Sequence, residues 1–532
     1  MNIFLSFKRE IVIFFFIIFH LTTYSQAPSI EWQRCYGGNS FDTPYFITRT
    51  IDHSYLLLGI TNSTNGDVSG NHGNYDIWIV KIDSLGDILW KHCYGGSSDE
   101  FVAYAIEDND GSIYITGSTT SNNGNVAGNH GSYDGWLLKL DSAGNLLWQH
   151  CYGGSQGDLL GGIVRTPDGL LICGATRSTD GDVSGCYNCP NGGDTWVIKT
   201  DTSGTLQWQR CYGGSGDESG GEIIKSHHQS YYFIVRSESG DGDVSNAMGG
   251  GDIWIVDIDS AGSILWNNCF GNNGINYQGS TVIKPNGDFE IAGSSSQSLP
   301  PDTLNHGGMD FWLANYDSTG IELWVNSYGG SQDDWLSQMC KTSDGGYAAI
   351  GITSSNDFDV SGNHSQPIAS DVWVIKVDSL GALQWQKCLG GVDIDQGHCI
   401  LETSDSGLLI LSEADSFDGD LIGSGTHGAD FWLVKLSSST SDLNSEINPI
   451  TDFNACLNSS NGLLSLSFYA NGNEHLEMQL VDITGRLILS QPLPITVGFN
   501  SPKVYTGKLS AGVFVVRLIN KGSVVFKKLI VQ

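Results

Sequence analysis

The chain has 532 residues, and its 58 Asp and Glu against 25 Lys and Arg give a formal charge of −33 and a pI near 4.4. Such a balance argues against nucleic acid or an anionic membrane surface as partner, suits a soluble exported protein, and leaves cations and basic molecules open as ligands. With 69 Gly and only 12 Pro, the composition suits short strands joined by tight turns, in at least two domains.

Residues 1–25 read as a secretory signal peptide. Lys8 and Arg9 precede an apolar run of nine residues, 11–19, and the small residues Thr23 and Ser25 precede Gln26. That run is too short to span a bilayer, and no later stretch approaches the required length, so the mature protein is expected to carry no transmembrane segment.

From residue 30 the sequence repeats. Asp-x-Trp recurs at Asp76, Asp134, Asp194, Asp252, Asp310, Asp371 and Asp430, and a second tryptophan at Trp32, Trp90, Trp148, Trp208, Trp266, Trp324 and Trp385. The seven Asp-x-Trp copies lie 58 to 61 residues apart, and a fixed period of this length marks a repeat architecture. One unit contains four runs of strand character, at 101–106, 112–118, 136–140 and 146–151, separated by Gly, Asn, Asp and Ser clusters. No sustained helical period interrupts them. The expected fold is all-β: a seven-bladed β-propeller over residues 30–437. Its ends carry the strongest argument. The chain enters with a lone fourth strand, 30–35, and leaves after a third strand, 431–436. Pairing of the two would close the ring between N- and C-terminal strands and remove an exposed edge.

Within each unit, Tyr-Gly-Gly must carry the chain from one blade to the next. The second-strand glycines Gly59, Gly117, Gly174, Gly293 and Gly351, replaced by Val235 and Ser412 in two units, suggest crowding near the axis. Cys35, Cys93, Cys151, Cys211, Cys269 and Cys388 share one repeat position, where Ser327 stands in one unit. Equivalent positions on separate blades lie too far apart to bridge, so these read as small packing residues. Cys186 and Cys189 sit together in one loop, where a local disulfide is expected.

Residues 438–446 form a polar linker, after which tryptophan vanishes. Runs at 463–468, 478–482, 487–490, 513–519 and 524–531 read as strands of a small C-terminal β-sandwich, residues 447–532.

The repeat units, with Tyr-Gly-Gly, Asp-Gly-x-Tyr and Asp-x-Trp-x-x-Lys-x-Asp in order, resemble the bacterial β-propeller repeats called SBBP, in the long-period form common in secreted proteins of the Bacteroidetes. The tail is similar to the type A C-terminal sorting domain of the type IX secretion system. The matching residues are Asn448-Pro449, the Asp482 to Arg486 segment with Gly485, the Leu509 to Phe514 segment with Gly512, and the terminal run with Lys527 and Lys528. Ile447 stands where the family usually carries a further Pro. The resemblance implies export through the type IX machinery as partner, removal of the tail, and a product that is secreted or held at the outer cell surface.

The Tyr-Gly-Gly loops and the long loops between second and third strands share one face. Asp99, Glu100, Asp158, Asp217, Glu218, Asp333 and Asp334 are expected to make it acidic. The long loops carry Asx-x-Asx at Asn65/Asp67, Asn123/Asn125, Asp180/Asp182, Asp241/Asp243, Asp357/Asp359 and Asp418/Asp420. Oxygen ligands at alternate positions begin calcium loops, so Asp180, Asp182, Asp241, Asp243, Asp357, Asp359, Asp418 and Asp420 are calcium candidates. The later ligands of such loops are missing, and Asx turns bonding their own backbone are the alternative. No cofactor is required. His72, His130, His306, His364 and His427 recur once per blade and do not converge on one metal. The Asp-x-Trp aspartates repeat at strand starts, which suits backbone hydrogen bonding better than catalysis. No His-Glu-x-x-His, Gly-x-Ser-x-Gly or phosphate-binding glycine loop is present. The sequence therefore points to a non-enzymatic binding or adhesion propeller with an unidentified extracellular ligand. The alternative is a polysaccharide- or peptide-degrading enzyme using the acidic face. Convergent carboxylates of raised pKa in a central pocket would favour the enzyme.

Overall fold

A computed structural model describes residues 26–438 and 450–531, apart from 188, 227–229, 272–275, 285, 298–304, 365–368, 422–428, 459–461, 471–475, 483–485, 495–497, 511 and 521–522. The proposed signal peptide, almost all of the linker, Asn448-Pro449, His427 and Gly485 lie outside the described residues. The chain divides into two compact units, Met1–Ser439 and Thr440–Gln532.

The first unit is built from repeated four-stranded antiparallel sheets in a propeller-like array, seven among the described residues. The first sheet takes four consecutive strands, Asp42–Arg49, Tyr55–Thr61, Asp76–Ile82 and Ile88–Tyr94. Five more follow the same order. The seventh takes Asp395–Glu402, Leu408–Ala414 and Asp430–Leu436, and its fourth strand is Ile30–Tyr36, from the other end of the unit. The expected N- to C-terminal pairing is present: Cys35 lies opposite Trp432 and Tyr36 opposite Phe431.

Each sheet is organised by one cross-strand row. In the second sheet Gly117 pairs with Trp136, and Trp136 with Cys151. The first has Gly59, Trp78 and Cys93. All seven Asp-x-Trp tryptophans are fully buried. A large ring between two small neighbours explains the shared cysteine position, since directly opposed side chains set the packing of a sheet. It also explains why Ser327, opposite Trp312, serves as well. Cys93, Cys151 and Cys211 are free, and burial pushes their thiols up to about 12. Cys186 and Cys189 form a disulfide.

Successive sheets share apolar cores. Leu58 and Ile79 of the first sheet pack with Ile113 and Trp136 of the second. Leu411, Phe431 and Leu433 of the seventh pack with Ile47, Leu57 and Trp78 of the first.

The second unit contains two four-stranded sheets. In one, Leu463–Ala470 pairs with Ile450–Asn458, Gly498–Asn500 and Lys503–Tyr505; the other runs in the order Leu487–Leu493, Leu476–Asp482, Gly512–Asn520, Ser523–Val531. Leu466 and Phe468 from the first sheet meet Met478, Leu480, Val516 and Leu518 from the second in one core. No helix among the described residues is long and apolar enough to cross a membrane.

Candidate functional site

The place where the repeat stops repeating is the middle of each first strand. Pairing with the second strand skips a residue between Pro44 and Phe46, Val102 and Tyr104, Gln278 and Ser280, Leu336 and Gln338, and Gly397 and Cys399. The skipped residues are Tyr45, Ala103, Gly279, Ser337 and His398. A bulge leaves its extra residue unpaired and re-aims the side chains beside it. Here it turns them toward one shared cavity of about 190 Å³. The bulge also explains the second-strand glycine. A Cβ on Gly117 would overlap the carbonyl oxygen of Phe101, and one on Gly59 that of Thr43.

The cavity receives first-strand residues from six of the seven sheets, among them Tyr45, Phe46, Tyr104, Glu222, Gln338 and His398. The remaining sheet carries Gly161 and Gly162 at the corresponding place. The Gly162 N–H donates to the Gly221 carbonyl at 2.9 Å, so the glycines let the strand bearing Glu222 approach.

Among the described residues, Glu222 is the single carboxylate of the lining. Its Oε2 accepts one long hydrogen bond, from the Thr281 N–H at 3.3 Å, and burial raises its carboxyl to about 7. Tyr104 is pushed well above the usual phenol range, first by burial and then by the nearby Glu222 charge. Burial pushes the Cys399 thiol to about 12, so it is no nucleophile at neutral pH. Gln338 Oε1 accepts the Ile400 N–H at 2.7 Å. His398 directs Nε2 toward Glu413, 3.7 Å away, and its ring meets the edge of Tyr45 with centroids 6.1 Å apart. Phe46 and Tyr104 lie 5.1 Å apart.

The acidic loops do something else. Asp180 Oδ1 accepts the Ser155 N–H at 2.7 Å while Asp182 Oδ2 accepts that of Gly153 at 3.2 Å. Asp241 and Asp243 bond Ser215 and Gly213 in the same way, Asp357 and Asp359 bond Ser331 and Gly329, and Asp418 and Asp420 bond Val392 and Gly390. Each pair therefore clasps the Gly-Gly turn that joins two sheets.

The expectation of an acidic face needs correction for four residues. Glu100, Asp158, Glu218 and Asp334 are buried, at 0 to 3 % exposure. Each accepts the N–H of the second glycine of its turn, as Gly96 donates to Glu100 at 2.8 Å. The Asp-x-Trp aspartate flanks the same turn from the other side. A Cβ on Gly95 would collide with both Asp76 and Glu100, which is why glycine stands there. Three of the recurrent histidines belong to this arrangement: His72, His130 and His364 place Nδ1 2.6, 2.6 and 2.7 Å from Asp76, Asp134 and Asp371. Burial raises the carboxyls of Asp76, Glu100, Asp134 and Asp158.

Among the described residues, one group of His, Cys, Asp and Glu atoms comes close enough to hold a metal: Cys186, Cys189 and Asp194. Its two sulfurs are joined in the disulfide, which leaves no thiolate to offer. In the second unit, Gly512 opens its strand opposite Val531, and Lys527 and Lys528 pair with Val516 and Val515 on the last strand.

Residues 458–532 match the family described as a secretion system C-terminal sorting domain. A type IX sorting domain marks its chain for export, so the protein is secreted or displayed at the cell surface. No curated protein matches the chain. Among solved structures, the chain is similar to puromycin hydrolase (9% identity, TM-score 0.41), over 80% of this chain and 58% of that one. It is also similar to a member of the duf4221 family from Bacteroides vulgatus (9% identity, TM-score 0.33), over 76% of this chain and 96% of that one. The apocarotenoid oxygenase of Synechocystis matches at 10% identity and TM-score 0.36, over 69% and 95% of the two chains. These likenesses assign no activity to this chain.

Proposed function

We propose that the protein is an exported, non-enzymatic binding propeller: a closed seven-bladed ring of SBBP-like repeats, delivered by the type IX machinery, that holds its ligand in the central cavity. The observation that carries this reading is the contrast between frame and lining. Tryptophans, turn acids and Gly-Gly loops recur around the array, whereas the bulged positions differ from sheet to sheet and converge on one cavity. Repetition builds a scaffold, and an asymmetric set of side chains on a rigid scaffold is how ligand sites are made.

The cavity's chemistry favours binding over hydrolysis. Glycoside cleavage uses two carboxyl groups across the scissile bond, and among the described residues this lining has Glu222 alone. A nucleophile hydrogen-bonded to a base is the requirement for acyl transfer, and Cys399 instead donates to the Ile47 carbonyl at 3.8 Å.

A glycan, peptide and small-molecule binding screen of the secreted chain, run beside turnover assays on the same compounds, tests the reading. Saturable binding without turnover supports it. Turnover that is lost in Glu222→Gln overturns it in favour of an acid–base enzyme. Deleting residues 447–532 is expected to leave the protein in the periplasm, and unchanged export of the truncated form would remove the type IX assignment.

A further inference from the structure

We propose that the central cavity receives a small organic cation, an alkylammonium or quaternary ammonium head group, with Glu222 as its counter-charge and the rings of Tyr45, Phe46 and Tyr104 as its walls. The inference rests on the binding reading above and specifies the ligand class.

Glu222 is the starting point. Part of its surface faces the cavity, while protein encloses it elsewhere, and its one hydrogen bond comes from a backbone N–H at 3.3 Å. No charged side chain among the described residues offsets it. A carboxylate removed from water is costly unless a cation or a proton accompanies it. The cation the site lacks is not supplied by its neighbour, because His398 is turned to Glu413 on the second strand of its own sheet.

The walls fit the same ligand. Tyr45, Phe46 and Tyr104 share the cavity lining with the carboxylate, and Tyr104 lies near enough to feel its charge; cations are attracted to aromatic faces, most strongly where water is excluded. Tyr45 is 39% exposed and supplies the accessible wall. At about 190 Å³ the space is smaller than the ~300–1,000 Å³ of pockets for drug-sized ligands, so it suits a head group and not a polymer chain. The net charge of −33 raises the local concentration of cations and not of anions.

The test is calorimetric titration of the exported chain with choline, its neutral isostere 3,3-dimethyl-1-butanol, and acetate. Choline is expected to saturate one site per chain, the alcohol to bind at least roughly tenfold more weakly, and acetate not to bind. Because burial raises the carboxyl to about 7, choline should displace a fraction of a proton at pH 7, read as an enthalpy that differs between phosphate and Tris buffers. Glu222→Gln should lose both the affinity and the proton release. Equal binding of the alcohol, choline affinity retained in Glu222→Gln, or no saturation by choline each overturns the proposal. If Glu222→Gln does not fold, Tyr45→Leu serves in its place: at this half-exposed position it should weaken choline while the melting temperature holds, and unchanged affinity counts against the site. Failure of choline together with a glycan or peptide hit removes the ligand class and leaves the binding reading. Turnover removes the binding reading itself.

Discussion

The Tyr36 hydroxyl donates to the carbonyl oxygen of Gly86 at 2.6 Å, both residues buried, and so ties the seventh sheet to the first. The same latch joins Tyr94 to Gly144, Tyr152 to Gly204, Tyr212 to Gly262 and Tyr328 to Gly381, each running from the fourth strand of one sheet to the hairpin turn of the next. The tyrosine of Tyr-Gly-Gly is thus an inter-sheet hydrogen-bond donor. Two junctions lack it, because Phe270 and Leu389 occupy the position.

This latch predicts a matched pair of mutants. Tyr36→Phe keeps the ring and removes the donor, leaving the buried Gly86 carbonyl unsatisfied; it should cost about 1–2 kcal/mol. Phe270→Tyr supplies a hydroxyl facing the turn at Gly320, whose Cβ position lies 3.7 Å from the Phe270 ring tip. It should add about 0.5–1 kcal/mol. Urea unfolding of the two variants checks both signs. Two changes of the same sign would mean that the tyrosines act through packing alone.

The loops at Asp241/Asp243 and their equivalents give a second prediction. Each carboxylate already accepts a backbone N–H from the neighbouring turn, as Asp241 does from Ser215 at 2.7 Å. Calcium would have to share these oxygens with amide donors while finding six to eight ligands in all. Melting curves in millimolar calcium and in magnesium at equal ionic strength should therefore superimpose. A calcium-specific rise in melting temperature, abolished by Asp241→Asn with Asp243→Asn, would establish cation sites after all, since a ligand bound only to the native state stabilises it by mass action. Without calcium, Asp241→Ala should still destabilise, because the Ser215 amide loses its partner.

How much of this was legible beforehand follows from what repetition encodes. The spacing of Trp78, Trp136 and their equivalents marks where strands lie, since most pair with a small residue on either side, and the lone fourth strand at 30–35 predicts its pairing with the third strand at 431–436. Repetition equally hides which acids are buried. Asp99 and Glu100 are adjacent in sequence, yet one starts a strand and turns inward beneath Gly95 while its neighbour belongs to the loop. The cavity was missed for a related reason. Tyr45, Glu222 and His398 belong to no motif, and they meet because bulges redirect the strands of Tyr45 and His398 while Gly161 and Gly162 let the strand of Glu222 approach. The signal that could have found them was the loss of self-similarity at that one position of an otherwise regular unit.

The last prediction concerns pH. Burial raises the carboxyls of Asp310, Asp334 and Asp395 to about 6, against hydrogen bonds that favour ionisation: His306 for Asp310, Thr353, Gly330 and Ser355 for Asp334, and Ser416 and Gly391 for Asp395. In each case a second carboxyl lies across the same Gly-Gly turn: Asp334 faces Asp310 and Asp395 faces Asp371. A carboxyl whose native value exceeds its unfolded one binds more protons when folded. Its contribution to stability is complete below about pH 4 and is lost as pH rises through about 6. Asp405 has the opposite sign. There the hydrogen bonds from Thr403 and Lys435 outweigh burial and hold it at about 2, so its contribution is present above about pH 4 and is lost as pH falls through about 2. The two windows overlap between about pH 4 and 5, where the melting temperature of the first unit should peak, and it should decline by pH 7. The net charge of the chain also varies with pH, so the assignment rests on variants. Asp334→Asn and Asp395→Asn keep the shape of the side chain and cannot ionise, and each should flatten the decline between pH 5 and 7. A melting temperature that rises steadily from pH 4.5 to 7, or variants with the slope of the parent, would show that these buried acids stay ionised without cost.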